Sequence, residues 1–352
     1  MRKLASIQTI KSIEPIFKDG VQTTLSTITF ENIAWQCVGK TTEYKVGDKV
    51  LYIEISTVLP EHPVFEFMRP RKFKLQTARI LGTVSQGLVM PLSTLAEFWE
   101  FVDGQALEDG LDVTPLVGVK RYEPELDYKT TGSGGAIAPF PTDIVPKTDE
   151  LRLQSFPFLL EEMKVYDDVI ATVKLDGTST TFFWDFEKGE VAVCGRNIRK
   201  LSDDGSVYFH ALRGLPANFG DVLRIHNIVV QGEICAPKIQ KNRLGLERAQ
   251  FFAFSVFDRS TFQYMASADA SELLWSYFIP EVPAAHFWSN GEFQKETVES
   301  LLEKAKGFYK GTENHREGIV VRPRFDSAFS VRAGTMLSFK VINDDYLLTG
   351  GE

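Results

Sequence analysis

A lysine followed two residues later by an aspartate is the most reactive pairing in this sequence. The pattern KLDGT at 174–178 comes directly after the apolar run 169–173. If a strand continues past this run, Lys174 and Asp176 lie on the same face of it, because side chains alternate along a strand. A lysine amine is nucleophilic only when it is uncharged, so burial or nearby cations must lower its pKa from about 10.4. The sequence therefore predicts a nucleophilic lysine that depends on cations supplied from elsewhere.

The KLDGT pattern is weak evidence when it stands alone. It also describes an ordinary strand end with a solvated lysine, a capping aspartate and a turn glycine. Further blocks in a single order strengthen it, and they are CGRN at 194–197, QGEI at 231–234, FFAF at 251–254, REGIVVR at 316–322 and SFKVIN at 338–343. Together these blocks resemble the nucleotidyltransferase motifs of covalent polynucleotide ligases and mRNA capping enzymes.

The resemblance spans about 151–348 and assigns the motifs residue by residue. The lysine motif falls on Lys174 to Gly177, the glutamate-centred third motif on Glu233, its aromatic companion on Phe252, the fourth motif on Glu317 and the lysine-bearing fifth motif on Lys340. The front of the chain is similar to the fifth family of ATP-dependent RNA ligases, through SQGL at 85–88, GVKRYEP at 118–124 and KTDELRLQ at 147–154. The two resemblances cover nearly the whole chain.

This likeness implies an α+β fold. A C-terminal nucleotidyltransferase (ATP-grasp-like ligase) domain of antiparallel sheets and helices follows a small N-terminal β-barrel of the OB type. The expected boundaries are 1–113 for the OB-like module that binds nucleic acid, 114–148 for a linker rich in proline and glycine, and 149–352 for the adenylation domain.

The resemblance also implies a reaction in three phosphoryl transfers. Lys174 attacks the α-phosphorus of ATP and becomes a lysyl-adenylate, the AMP moves to an RNA 5′-phosphate, and the neighbouring 3′-hydroxyl then displaces it. The expected partner is a nicked duplex with RNA on the 3′-hydroxyl side. The alternatives are a DNA ligase, an mRNA guanylyltransferase, or a nucleic-acid-binding relative without activity. The last predicts loss of at least one motif residue, and all are present.

Three carboxylates are candidates to hold Mg²⁺ or Mn²⁺, because hard cations prefer oxygen ligands. They are Glu233, Glu317 and Asp176. A metal ion beside Lys174 would also favour the uncharged amine. For Asp176 three roles stay open: it can orient the amine, bind a water of the metal ion, or assist the 3′-hydroxyl.

The nucleotide itself is assigned to a second group of residues. Phe252 is expected to stack on adenine. Alternation places Phe254 on the same face of the strand, whereas Phe251 and Phe257 face the other way and pack the core. Lys340 is expected to contact the α-phosphate. Many relatives carry another lysine where this chain has Ser338. The remaining candidate nucleotide contacts are Lys174, Gly177, Glu233, Glu317 and two possible phosphate readers, Arg152 and Arg196. Arg322 is either a further reader or a structural partner of an acidic neighbour.

Composition sets the limits around this site. The chain has 352 residues, a net charge of −8 and 43% hydrophobic residues, which suits a two-domain globular protein and argues against coating nucleic acid by bulk charge. Local basic clusters remain at 69–79 and 238–248, and either can be a solvated loop. Three cysteines without C-x-x-C spacing and no long apolar run predict an intracellular protein off the membrane. A monomer is expected.

The predicted elements position these residues. Short strands at 23–29, 34–38, 49–55, 78–81 and 87–90 indicate the barrel. In the second domain, strands at 169–173, 180–184, 190–194, 227–233, 250–256, 318–322 and 336–341 alternate with helices at 207–218, 268–277 and 293–306. The motif residues then fall at strand ends that line one groove.

Overall fold

The computed structural model describes residues 3–98, 107–122 and 135–350. The chain divides into two compact units. Unit 1 consists of Met1–Pro124, Leu153–Pro157 and Asp344–Glu352, and unit 2 consists of Glu125–Arg152 and Phe158–Asn343. Residues 123–134 of the expected linker lie outside the described residues, and the domain boundaries given above stay predictions.

Unit 1 is built mainly from antiparallel strands. They are β1 (Ala5–Lys18), β2 (Val21–Phe30), β3 (Gln36–Lys40), β4 (Lys49–Ile53), β5 (Thr57–Val58), β6 (Lys74–Leu75), β7 (Ala78–Ile80), β8 (Thr83–Ser85), β9 (Leu88–Pro91) and β10 (Lys120–Arg121). The main sheet has the order β3-β2-β1-β4-β9, and smaller sheets have the orders β10-β5-β6 and β7-β8. Helix α1 (Thr114–Val117) and 3₁₀ helices at Pro63–Arg71 and Leu92–Glu97 complete the described part.

The longest strand of unit 1, β1, is absent from the sequence-based prediction. Its first half pairs with β4 and its second half with β2, with register shifts after Ile10 and Pro15. A proline and two irregular registers interrupt the simple alternation by which a strand is recognised. The other expected strands of the barrel correspond to β2, β3, β4, β7 and β9. Leu51 and Ile53 of β4 pack with Phe65 of the first 3₁₀ helix in one buried cluster.

Unit 2 contains two large sheets. Their strands are β11 (Ile137–Pro139), β12 (Leu151–Arg152), β13 (Val169–Lys174), β14 (Thr178–Asp185), β15 (Glu190–Cys194), β16 (Ile198–Lys200), β17 (Ile228–Cys235), β18 (Gln250–Asp258), β19 (Gln263–Tyr264), β20 (Ala284–Trp288), β21 (Gly318–Pro323) and β24 (Phe339–Ile342), with a separate pair β22 (Phe329–Ser330) and β23 (Thr335–Met336). The first sheet has the order β11-β16-β15-β14-β17-β18-β19, and the second has the order β12-β24-β21-β13-β20.

The helices of the remaining chain are short. They are α2 (Phe158–Met163), α3 (Val207–Arg213), α4 (Phe219–Ile225), α5 (Ser267–Ser276), α6 (Val298–Ala305) and α7 (Asp344–Leu348), with a 3₁₀ helix at Glu292–Lys295. Helix α7 belongs to unit 1. In the part of the chain that the structure describes, no helix combines the length and the apolar character that crossing a membrane requires.

Two of the predicted helices are wrong in extent. The helix expected at 207–218 ends at Arg213, before Gly214 and Pro216, and α4 follows as a separate helix. The helix expected at 293–306 is interrupted, because Thr297 and Ser300 form a capping box that starts α6 anew. The Thr297 side chain accepts from the Ser300 backbone N–H at 3.2 Å.

Helices cover one face of the first large sheet, so its motif residues can meet a ligand only on the other face. Phe182, Ile234 and Phe251 pack with α3, α4 and α5 in one buried cluster. Since side chains alternate along a strand, Glu233 and Phe252, which pair across β17 and β18, point to the opposite face.

Candidate active site

Lys174 is the last residue of β13, where it pairs with Gly318 of β21. Its amine lies 2.8 Å from a carboxylate oxygen of Glu317, the residue just before β21. Tyr309 holds the two strand ends together, because its hydroxyl donates to the Lys174 carbonyl at 3.0 Å and accepts from the Glu317 N–H at 3.1 Å. The predicted nucleophile and the fourth-motif glutamate are therefore in direct contact.

The charge around Lys174 is negative. Burial disfavours the ammonium form, but Glu317 and Glu233 outweigh burial, so the pKa of Lys174 is raised above its ordinary value. Burial raises the pKa of Glu233 to about 8. Lys174 opposes this rise, and Glu317 and Asp176 add to it. The protein alone thus holds an ammonium among carboxylates, and the amine becomes nucleophilic only when an added cation lowers its pKa and a base accepts its proton.

Two further cations share the face of the second sheet that carries Lys174. Arg152 of β12 pairs with Lys340 of β24, Lys340 pairs with Val320 of β21, and Val320 pairs with Thr172 of β13. Paired residues in a sheet point to the same side, so the row leads to the face from which Lys174 projects two residues further on. Arg152 and Lys340 are buried, at 3% and 7% exposure. This row is a ready site for an anionic group.

Exposed charges border the row. Asp149 lies 3.7 Å from the Lys340 amine and 3.4 Å from a guanidinium nitrogen of Arg196. Arg196 is exposed on the loop after β15, where Asn197 accepts from the Lys147 amine at 3.1 Å. A phosphate that entered here would compete with Asp149 for both cations. The structure therefore places Arg196 at the rim of the site and Arg152 within it.

The four phenylalanines are divided by burial as predicted, but not by face: a register shift opposite Gln231 and Gly232 places Phe257 in the buried cluster of Phe183, on the other face of the sheet from Phe251. Phe251 and Phe257 are 2% and 1% exposed and lie in the core, whereas Phe252 and Phe254 are half-buried on the face opposite Phe251. Phe252 pairs with Glu233 across β17 and β18. A cavity of about 480 Å³ lies between the sheets, with Thr172, Val320 and Phe254 in its lining. Lys174, Glu233 and Phe252 do not line this cavity, so it does not support the assignment of the base.

Arg322 is a structural partner in this arrangement. It forms an ion pair with Glu150 at 2.5 Å, donates to the Ser255 hydroxyl at 3.0 Å and donates to the Phe254 carbonyl. Its Nε also donates to the Ser338 hydroxyl at 3.1 Å. The position at which many relatives have a second lysine is therefore occupied by a serine beside a guanidinium that other groups already hold.

Asp176 has a partner that the sequence did not indicate as such. The Nε atom of Arg243 lies 3.1 Å from its carboxylate, and both side chains are 7% exposed. The only sequence signal was the basic cluster at 238–248, which is equally typical of a solvated loop. Of its members, Arg243 points inward to the site.

Gly177 permits the close approach of the lysine motif to β17. A Cβ atom there would lie 2.4 Å from the Ile234 carbonyl oxygen and 2.8 Å from the Glu233 side chain. We expect Gly177→Ala to separate Lys174 from Glu233 and to lower the rate of the lysine's reaction by about 100-fold, the usual cost of a misplacement near 1 Å. Gly189→Ala strains a turn at the far end of β14, because Gly189 has a φ of +67°, but its Cβ meets nothing within 4 Å; it is the control for loss of a glycine without a clash at the site. Unchanged activity of Gly177→Ala would show that this approach is unimportant.

The described residues contain no preformed cluster of three or more metal-binding side chains. They do contain two carboxylates, Glu233 and Glu317, on either side of the Lys174 amine, and the pKa of Glu233 is raised to about 8 by burial and by the other carboxylates, against Lys174. Mg²⁺ and Mn²⁺ keep several waters and are often bound through only one or two carboxylates. The donor set therefore fits a largely hydrated divalent ion.

Comparisons with known proteins agree with this geometry. The RNA ligase family matches residues 167–342, and an OB-fold domain matches residues 4–92. An apo mutant of Naegleria gruberi RNA ligase is 30% identical, with 99% of each chain covered and a TM-score of 0.82. Structures of the same RNA ligase as a mutant with ATP and Mn, and with PPi, are 29% identical, with 99% of each chain covered and a TM-score of 0.81. A search of curated protein sequences gives no match.

Two predictions are confirmed by these matches. The fold is an α+β ligase domain of sheets and helices that follows an N-terminal OB-fold domain. The enzyme class is that of RNA ligases, which decides against the DNA ligase and guanylyltransferase alternatives. The chain belongs to the RNA ligase family.

Proposed function

We propose that this protein is an ATP-dependent RNA ligase that joins a 3′-hydroxyl to a 5′-phosphate through a lysyl-AMP intermediate on Lys174. The observation that carries the proposal is the contact of Lys174 with Glu317 at 2.8 Å, on the sheet face that also presents Lys340 and Arg152. A nucleophile, a proton acceptor and phosphate-binding cations thus meet at one place. The structure of the Naegleria gruberi enzyme with ATP and Mn supports the choice of nucleotide and metal.

In the first step the Lys174 nitrogen forms a bond to the α-phosphorus of ATP, and the bond from that phosphorus to the bridging oxygen breaks to release pyrophosphate. Glu317 is the nearest acceptor for the proton that the amine must lose. Lys340 offsets the charge that develops on the α-phosphoryl oxygens, and Arg152 and Arg196 bind outer phosphates. Such transfers depend mainly on positioning and charge neutralisation.

Glu233 and Glu317 are the residues that would hold a divalent ion, with Asp176 close enough to act on its waters. When bound, the ion supplies positive charge that favours the uncharged amine and polarises the phosphoryl group. The chain's own part is to keep two carboxylates beside Lys174 at a cost in stability, because each is partly desolvated next to the other. A bound cation relieves that cost, so the two carboxylates favour binding of a cation.

The base is assigned to Phe252. We expect Phe252→Ala to raise the KM for ATP by about 10- to 100-fold through lost stacking, with a smaller effect on kcat. Phe254→Ala is the matched variant from the same strand face, and its main expected effect is on the packing of Arg322, whose guanidinium lies 5.9 Å from the Phe254 ring centre. Steady-state sealing of a nicked RNA duplex at varied ATP measures KM and kcat for both variants. Equal changes in KM for the two variants would contradict the assignment.

The OB-fold domain is proposed to bind the 3′-hydroxyl side of a nicked duplex. Of the basic residues at 69–79, Arg69 is already paired with Glu66 at 2.5 Å, and Lys74 lies 4.2 Å from the centre of the Tyr122 ring. Arg71 and Lys72 are exposed and lie at the end of a 3₁₀ helix. Arg79 is exposed as well but donates to the Gly82 carbonyl at 3.1 Å, so Arg71 and Lys72 are the pair assigned to a phosphate backbone.

Point variants test this better than deletion of the domain. Trp35 donates to the Ser155 hydroxyl at 3.1 Å and Gln86 donates to Asp344 at 2.7 Å, so removing the N-terminal residues would strip partners from later segments of unit 1. We expect Arg71→Glu with Lys72→Glu to weaken sealing of a nicked duplex by about 10-fold and to leave lysine adenylylation unchanged. Arg69→Glu is the control. Unchanged sealing by the double variant would rule out the assigned surface.

The function as a whole is tested with nicked duplexes that differ only in the sugars beside the break. Sealing that requires ATP, a divalent metal ion and ribose on the 3′-hydroxyl side is the expected result. Failure to seal any duplex with an RNA 3′ end would overturn the proposal. The predicted monomeric state is open to light scattering, and an intracellular site of action agrees with three cysteines that are all free thiols.

A further inference from the structure

The segment between β17 and β18 carries one arginine back into the active site. Most of this segment is turn, and Arg243 is nevertheless only 6% exposed. Asn242 fixes the turn, since its amide donates to the Leu246 carbonyl and accepts from the Leu246 N–H, both at 3.0 Å. From the other side, Asn314 donates to the Arg243 carbonyl at 2.8 Å. The backbone of Arg243 is therefore held on two sides.

The side chain of Arg243 reaches the carboxylate of Asp176, with 3.1 Å between Nε and Oδ2. Both side chains are 7% exposed. A carboxylate that is withdrawn from water needs a compensating charge, and the guanidinium supplies it as an ion pair, in which Nε is near Oδ2 without the alignment of a hydrogen bond. The two Asn contacts show that the partner is supplied by a rigid turn rather than by a flexible surface arm.

This pairing separates the roles of two neighbouring motif residues. Lys174 has its own carboxylate, Glu317, and its own backbone contact, Tyr309. Asp176 is instead held by Arg243. The nucleophile and the aspartate two residues after it therefore each have a charged partner of their own.

We infer that Arg243 is a positioning residue for the ligation reaction, which fixes the Asp176 carboxylate for the steps in which the RNA ends react. The inference rests on the proposed function. Because Lys174 is held independently of Arg243, loss of the guanidinium affects lysine adenylylation far less than the two later steps. A residue that only stabilised the fold would lower all steps by the same factor.

The experiment compares Arg243→Met, Arg243→Lys and the matched control Arg248→Met, an exposed arginine in the same segment. Lysine adenylylation is measured with ATP and Mn²⁺, and phosphodiester formation is measured separately with a nicked duplex that already carries a 5′-adenylyl group. For Arg243→Met we expect adenylylation within about threefold of the parent and sealing of the adenylylated nick lowered by about 100-fold. Arg243→Lys keeps a positive charge and is expected to recover about tenfold of that loss. Arg248→Met leaves both rates unchanged.

A double variant decides whether Arg243 acts through Asp176. Asp176→Asn removes the charge that Arg243 holds, so adding Arg243→Met to it should lower the sealing rate no further. Additive losses, equal losses in adenylylation and sealing, or no recovery by Arg243→Lys would each overturn the inference. A parent protein that forms no lysyl-AMP would instead overturn the proposed function, and the two failures are therefore distinguishable.

Discussion

Lys174→Ala is expected to form no covalent complex with AMP and to lose ligation from ATP by more than about 10⁴-fold, because no other group replaces a covalent nucleophile. The amine is the one group in contact with Glu317 at the end of β13. The measurement is acid-stable protein label from ATP labelled at the α-phosphate, in the presence of Mn²⁺. Joining of an RNA end that already carries AMP is expected to survive in part, because it bypasses the lysine.

Alanine at position 174 leaves Glu317 without its cation, so a second variant is needed to separate chemistry from folding. Lys174→Arg keeps a positive charge beside Glu317, but a guanidinium stays protonated and does not attack phosphorus at neutral pH. It should fold and remain unlabelled. Lys164→Ala, which breaks an exposed ion pair with Glu161 at 2.9 Å, is the control and should label normally. Label on either variant at position 174 would show that another residue is the nucleophile.

Glu233→Gln is expected to make the metal-free protein more stable while it lowers lysine adenylylation by about 100- to 1,000-fold. Burial, together with Glu317 and Asp176 and opposed by Lys174, raises the pKa of Glu233 to about 8. The folded state therefore binds a proton more tightly than the unfolded state does, and ionisation of Glu233 opposes folding. A neutral amide of the same shape removes this penalty.

Because the pKa of Glu233 is raised, the stability gain of Glu233→Gln should depend on pH, and this can be tested in EDTA. The penalty is absent below the unfolded pKa of about 4.3 and grows as pH rises toward the folded value near 8. The stability gain of Glu233→Gln should therefore be small at about pH 5 and largest at about pH 8. Glu190→Gln, at an exposed position of the same sheet, should show no such trend. Mn²⁺ should raise the Tm of the parent and not that of Glu233→Gln; a reversed pH trend would contradict this electrostatic account.

Lys174 and Glu317 could be placed at strand ends from sequence, because Lys174 follows an apolar run and Glu317 precedes one. Val169–Lys174 and Gly318–Pro323 are strands as predicted, and their pairing brings Lys174 to Gly318. Alternation also separates Phe251 from Phe252 in β18, but it fails for Phe257, because a register shift within the strand changes the face. Local pattern was sufficient where the strand is regular.

Contacts between distant segments were not predictable in this way. Arg243 reaches Asp176 only because Asn242 and Asn314 shape a turn, and nothing in a basic run distinguishes an inward arginine from a solvated one. The protonation of Lys174 was equally hidden, since the carboxylates that raise its pKa come from separate strands. The interruption before α6 differs from these cases: it depends on neighbouring residues only, and Thr297 and Ser300 are a recognisable capping pattern in the sequence.

The most direct test of the central claim is to locate the nucleotide on the protein. The parent enzyme is incubated with ATP and Mn²⁺, digested, and the AMP-bearing peptide is sequenced by mass spectrometry under conditions that preserve the phosphoramidate. The account predicts a single adduct on Lys174, absent from Lys174→Arg. An adduct on Lys340 or another residue, or ligation without any covalent adduct, would contradict it.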